Sequence, residues 1–112
     1  MEAAFKGQLN RTVSVDRHTY QRNEALEIVQ VFARVFTEVP AAIQPLGTSA
    51  RQTVAGLYPE ASAKLYVEWT WDIHEGDRVV DEEAGQSYIV LGVEDAAGRQ
   101  HHLEAWLAAQ NL

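Results

Sequence analysis

Residues 64–107 read KLYVEWTWDIHEGDRVVDEEAGQSYIVLGVEDAAGRQHHLEAWL, and four strand-like runs stand out within them: 64–71, 78–81, 87–94 and 100–107. The breaks at 72–77, 82–86 and 95–99 carry Gly76, Gly85 and Gly98 among acidic and polar residues. Short β-rich runs punctuated by Gly and Asp predict an antiparallel meander. In the first run Leu65, Val67, Trp69 and Trp71 alternate with Lys64, Tyr66, Glu68 and Thr70. A period of two suits a strand with one buried face and not a helix. That alternation assigns Trp69 and Trp71 to the core. A tryptophan found exposed would instead mark a protein interface, since Trp is enriched among binding hot spots.

Upstream, residues 8–16 (QLNRTVSVD) alternate Leu9, Arg11, Val13 and Val15 with polar residues and predict a first strand. Residues 17–23 are polar and suit a turn or loop. Residues 24–39 (EALEIVQVFARVFTEV) admit two readings. A helix would start at Asn23 and align Leu26, Val29, Ala33 and Phe36. The density of β-branched and aromatic residues, from Ile28 to Val39, favours one long, bent strand. Pro40 cannot donate to a ladder, so it belongs at an edge, bulge or strand junction, with 41–45 as a short continuation.

Residues 46–62 (LGTSARQTVAGLYPEAS) are the least strand-like part of the interior. Gly47, Gly56 and Pro59 punctuate them, and Ser49 is placed to cap a helical turn over 50–54. An irregular stretch this long inside a small domain points to function or disorder. Residues 1–7 read as a flexible tail whose one large anchor is Phe5, a residue suited to ordering against a neighbour.

The chain has 112 residues, of which 46% are hydrophobic and 22% charged. A chain of this size predicts a single domain over 1–112, and the runs above make it all-β and mainly antiparallel, with a long internal loop at 46–62 that has room for a short helix. No apolar run is long enough to span a bilayer and no signal-peptide pattern opens the chain. The absence of cysteine removes disulfide and thiolate chemistry and suits a cytosolic origin. A net charge of −7, with the basic residues scattered, argues against a free-standing nucleic-acid binder.

The candidate chemistry resolves into scaffold. Asp72-Ile73-His74-Glu75-Gly76-Asp77 gathers carboxylates, yet Gly76 at positive φ and Asp77 on a backbone N–H is ordinary turn chemistry. His101 and His102 are adjacent, so on a strand they face opposite ways and cannot hold one ion. With no cysteine and no helical His spacing, no metal site is expected. Asp81-Glu82-Glu83 lacks the alternation of a calcium loop. No nucleophile elbow or phosphate loop is present, so no cofactor, catalytic residue or reaction is indicated.

The ordered series of features is more informative than any one of them. It runs from a strand over 11–16 to Val39-Pro40-Ala41-Ala42-Ile43-Gln44-Pro45, then a variable segment, then Ala63-Lys64-Leu65-Tyr66-Val67. Ile73-His74-Glu75-Gly76-Asp77-Arg78-Val79, Tyr88-Ile89-Val90 and His102-Leu103-Glu104-Ala105 follow. From about residue 8 onward the chain resembles the head–tail joining (stopper, or head-completion) proteins of long-tailed phages and prophage-derived particles. The resemblance implies a small β-barrel or β-sandwich, a non-enzymatic protein of the virion neck, made in the host cytoplasm and assembled as a homo-oligomeric ring. Portal or adaptor proteins would lie on one side and tail proteins on the other. Packaged DNA would pass through without sequence-specific binding, and no membrane is involved. It also implies that 46–62 reaches the channel, with Thr48, Ser49, Arg51 and Gln52 as polar tips. Phe5 and Trp106 are the interface candidates. The alternative from another class is a small monomeric β-barrel that binds a peptide or protein in a groove lined by Tyr66, Tyr88 and Trp106.

Overall fold

The computed structural model describes residues 9–47, 58, 60–95 and 102–110. Six strands follow in order: β1 (Arg11–Arg22), β2 (Ile28–Pro45), β3 (Ala63–Glu68), β4 (Arg78–Asp81), β5 (Gln86–Asp95) and β6 (His102–Gln110). They close into an antiparallel barrel in the order β1-β2-β3-β6-β5-β4, with β4 returning to β1. The all-β expectation is met, and no helix occurs among the described residues. The tail at 1–7, the loop tips Thr48, Ser49, Arg51 and Gln52, and the helical turn over 50–54 lie outside the described residues.

Alternation decides what lies inside. Val13 and Val15 of β1, Val39 and Ala41 of β2, Ala63, Leu65 and Val67 of β3, Val79, Val90, Ala105 and Leu107 form the buried core. These are the residues that the period of two places on one face, and closure turns all those faces inward. Phe36, Ile43, Trp71, Tyr88, Val93 and Leu103 pack against them while partly exposed.

Three expectations are corrected. The meander holds for β4, β5 and β6 but breaks between β3 and β4: β3 pairs with β6, and β4 crosses to β1. A four-stranded meander would leave two open edges, whereas this crossing closes the barrel and removes them. Second, residues 17–23 are not a turn. β1 continues to Arg22 beside β2, and the reversal falls at 23–27. Their polarity reflects a strand exposed on both faces, not a loop. Third, Trp69 is not core. The strand ends at Glu68, and Trp69 sits in the following turn with 41% of its surface exposed. Trp71 does pack inward, its ring edge-on to Phe36 at 5.4 Å between centroids.

The long strand reading of 24–39 is met from Ile28 onward, while 24–27 belong to the hairpin loop and β2 runs on through Pro40 to Pro45; its bends are bulges. Between the couples Val13–Val39 and Asp16–Arg34, β2 holds two more residues than β1 does. Glu38 has φ 54° within this stretch, in the left-handed region that bulges use. Pro40 lies one residue beyond the end of the β3 ladder, which starts at Ala41, so its missing N–H costs no bond there. Gly76 and Gly85, with φ 89° and 67°, form the turns before and after β4.

Candidate functional site

Two features rise from the barrel: a β-hairpin arm and the roots of the segment between β2 and β3. The arm consists of β1 beyond Asp16 and the facing part of β2. β4 meets β1 only at Ser14, Val15 and Asp16, and β3 meets β2 only from Ala41 to Pro45. β1 and β2 nevertheless pair out to the couple Arg22–Ile28. Six residues of strand, at about 3.3 Å each, carry the arm some 20 Å beyond the last β4 contact. The molecule is accordingly 51 Å long against 31 and 28 Å in the other directions.

Local chemistry shapes the arm's tip. The Asn23 side-chain oxygen accepts from the N–H groups of Ala25 and Glu27. The Leu26 N–H donates to the Asn23 carbonyl, and the Asn23 N–H donates to the Glu27 carbonyl. This is a three-residue hairpin loop whose last member takes a left-handed conformation, and Leu26 has φ 64°. Glycine is the usual occupant, so a leucine there is both strained and 71% exposed. Tyr20 and Ile28 nearby are 69% and 68% exposed.

The arm is held at its base by arginines. Arg17 donates to both carboxylate oxygens of Asp77 and to the carbonyl of Asp72, fixing the crossing segment 69–77 to the arm. On the outer face Asp16 accepts from Arg34 at 2.7 Å and from Arg78 at 2.9 and 3.0 Å. Arg78 also lies over the Phe32 ring at 4.3 Å. Burial pushes the Asp16 carboxyl upward, but the two guanidiniums outweigh it and hold its pKa below the ordinary value. Beside the bulge, Thr12, Ser14, Arg34, Thr37, Glu38, Glu82 and Glu83 line an open cleft of about 370 Å³. Arg34 there is already bound to Asp16 and Glu82, so the cleft's remaining character is acidic.

The segment between β2 and β3 starts and ends side by side. The Leu46 N–H donates to the Ser62 carbonyl and the Ser62 N–H to the Leu107 carbonyl. Tyr58 stacks on Trp106 at 5.9 Å and fills a notch at Gly92, where any Cβ would overlap its ring. Lys64 caps the same indole at 4.5 Å and pairs with Glu104. The Glu104 carboxyl is raised by burial and lowered by Lys64 and His102, with a net depression; Lys64, disfavoured by burial and favoured by Glu104, ends above its ordinary value. The Trp106 Nε1–H is buried without an acceptor among the described residues.

Of the sequence candidates, Trp106 is therefore half-buried on the outer face beneath Tyr58 and Lys64. Tyr66 shares Lys64 with it, at 5.3 Å, but Tyr88 packs against the core and joins neither. The three aromatics do not line one groove. Asp77 bonds the His74 N–H as the turn reading requires, and also takes Arg17, which sequence did not suggest. Phe5, Thr48, Ser49, Arg51 and Gln52 lie outside the described residues. Sequence reasoning missed the arm; the alternation of His18, Tyr20 and Arg22 with Arg17, Thr19 and Gln21 was its one signal.

Comparison with known proteins fits this geometry. The solution structure of protein SF1141 from Shigella flexneri 2a shares the fold with a TM-score of 0.74 at 18% identity, covering 92% of this chain and 94% of that one. No curated protein matches in sequence. The family model described as "Phage head completion protein" matches residues 6–109, which takes in β1 to β5, all but the last residue of β6, and the whole arm. The chain belongs to the phage head completion protein family.

Proposed function

We propose that this protein is a structural, non-catalytic component of the virion neck. Copies of it form a ring between the portal or adaptor proteins and the tail, retaining packaged DNA until ejection. The observation that carries the reading is the family correspondence over residues 6–109, barrel and arm together. A ring needs two unlike, complementary surfaces on each copy, and an arm standing off a closed barrel supplies surfaces that the barrel lacks. The net charge of −7 supports a conduit role, because a like-charged wall does not hold the duplex. The segment 46–62, rooted beside β6, is the part proposed to approach the channel, with Thr48, Ser49, Arg51 and Gln52 at its tips.

Deleting residues 48–56 from the chain in particles tests this. The roots at Leu46, Tyr58 and Ser62 stay in place, so the barrel should fold and assemble. Particles carrying the deletion should lose packaged DNA to added nuclease, whereas full retention would remove the stopper role from this segment. DNA-filled, tailed particles assembled without any of this protein would overturn the neck reading altogether.

A further inference from the structure

Among the described residues the arm has two edges that no strand covers, and the hydrogen-bond pattern identifies the groups on each. With the Asn23 N–H bonded to the Glu27 carbonyl, alternation makes 21–29, 19–31 and 17–33 the bonded couples within the hairpin. The N–H and C=O groups of His18, Tyr20 and Arg22 therefore point away from β2, and those of Ile28, Gln30 and Phe32 point away from β1. No described strand pairs with either row. Proteins normally blunt such edges with proline, charge or a bulge. Ile28–Ala33 reads IVQVFA, without a proline or a charge, and the bulges begin only at Arg34.

We propose that the arm is the surface through which copies of this chain associate, the β1 edge of one copy pairing antiparallel with the β2 edge of the next. This rests on the ring reading above and names its contact. Three observations select a second copy joined head to tail. The two edges offer the same number of outward residues, three and three. β1 runs toward the tip and β2 runs back, so arms pointing the same way bring unlike edges together antiparallel, the order that repeats around a ring. Charge agrees: Arg22 ends the β1 edge, Glu24 and Glu27 adjoin the start of the β2 edge, and none of the three has an ion-pair partner among the described residues. Head-to-tail pairing sets Arg22 beside the next copy's tip acids. Twofold pairing of like edges points the arms in opposite directions and separates them. The same arrangement lays exposed Tyr20 along the next copy's Ile28, Gln30 and Phe32 on one face, where cross-strand pairs stabilise a sheet.

The native chain has no cysteine, so disulfide trapping is clean. Thr19 and Val31 fall at non-bonded sites of the proposed pairing, where Cα atoms approach to about 4.5 Å. Thr19→Cys and Val31→Cys chains, oxidised separately and as a mixture, should give a linked dimer only in the mixture. Gln21→Cys with Val31→Cys, and Thr19→Cys with Val29→Cys, cover a register slip of two residues. Linkage within a single variant would indicate twofold pairing and overturn the proposal, as would the absence of linkage in every mixture. Gln30→Pro removes an outward N–H that the hairpin does not use, so circular dichroism should be unchanged while self-association weakens about tenfold or more; unchanged association overturns the arm contact. Rings seen by electron microscopy without arm linkage would discard the arm and keep the neck reading. Arm-linked pairs that never close into rings would do the reverse.

Discussion

Arg17 and Asp77 seal one end of the barrel: the Arg17 Nε and Nη2 donate to the two Asp77 oxygens at 3.0 and 2.9 Å, and Asp77 is almost wholly buried. Arg11 and Asp81 do the same at the other end, at 2.6 Å. Between them along β1 lie the buried Val13 and Val15, with Val15 opposite Val79 of β4. The four-residue β4 thus closes the barrel with an apolar centre and an ion pair at each mouth. Removing one partner of such a pair leaves a buried charge uncompensated.

Arg17→Met is expected to lower unfolding stability by about 3 kcal/mol, because among the described residues Asp77 then keeps only the His74 N–H as a donor to its carboxylate. Urea unfolding measures it. A loss under 1 kcal/mol would show that the pair does not fasten the closure.

Acidification should weaken the fold through Asp16. Its folded-state pKa is depressed by Arg34 and Arg78, so its contribution is fully present above the unfolded value of 3.8 and is lost as pH falls through the lower, folded value. Asp16→Asn should flatten the stability profile below about pH 4 relative to the native chain, as read by thermal unfolding across that range. A parallel profile would assign the acid sensitivity to other carboxylates.

The tryptophans should separate cleanly. Trp69, exposed in a turn, is expected to cost less than about 1 kcal/mol on replacement by Ala. Trp71, packed on Phe36, should cost about 3 kcal/mol. The order of the two melting temperatures checks this, and a reversed order would restore Trp69 to the core.

Gly92→Ala sets a methyl group against the Tyr58 ring, and overpacking of this kind costs about 1–3 kcal/mol. Tyr58→Ala should recover most of that loss in the double variant while being destabilising alone, because it uncovers Trp106. Additive losses would mean that Tyr58 does not occupy the notch.

Leu26→Gly should raise stability by about 1 kcal/mol, since φ 64° suits glycine and burdens leucine. Guanidinium unfolding reads the gain. A loss would show that Leu26 is held by contacts within its own chain.

Local sequence determined a good deal of this protein. Alternation in Lys64, Leu65, Tyr66 and Val67 specified a strand and its buried face, Gly76-Asp77 and Gly85 specified the turns around β4, and the β-branched run from Ile28 onward favoured the strand β2 over a helix. These are decided within a few residues, by the two-residue period of a strand and by the φ that glycine permits. The partners of each strand were decided only in three dimensions. Closure lets β3 take β6 and sends β4 to β1, and it draws Arg17 of β1 onto Asp77, which lies sixty positions further along the chain, just before β4. The arm is tertiary as well: Arg17–Arg22 looks like a loop because both of its faces meet solvent, and it is a strand because β2 lies beside it. Strand period is a property of neighbours in the chain, whereas edge pairing and buried ion pairs join residues some sixty positions apart, which no local pattern records.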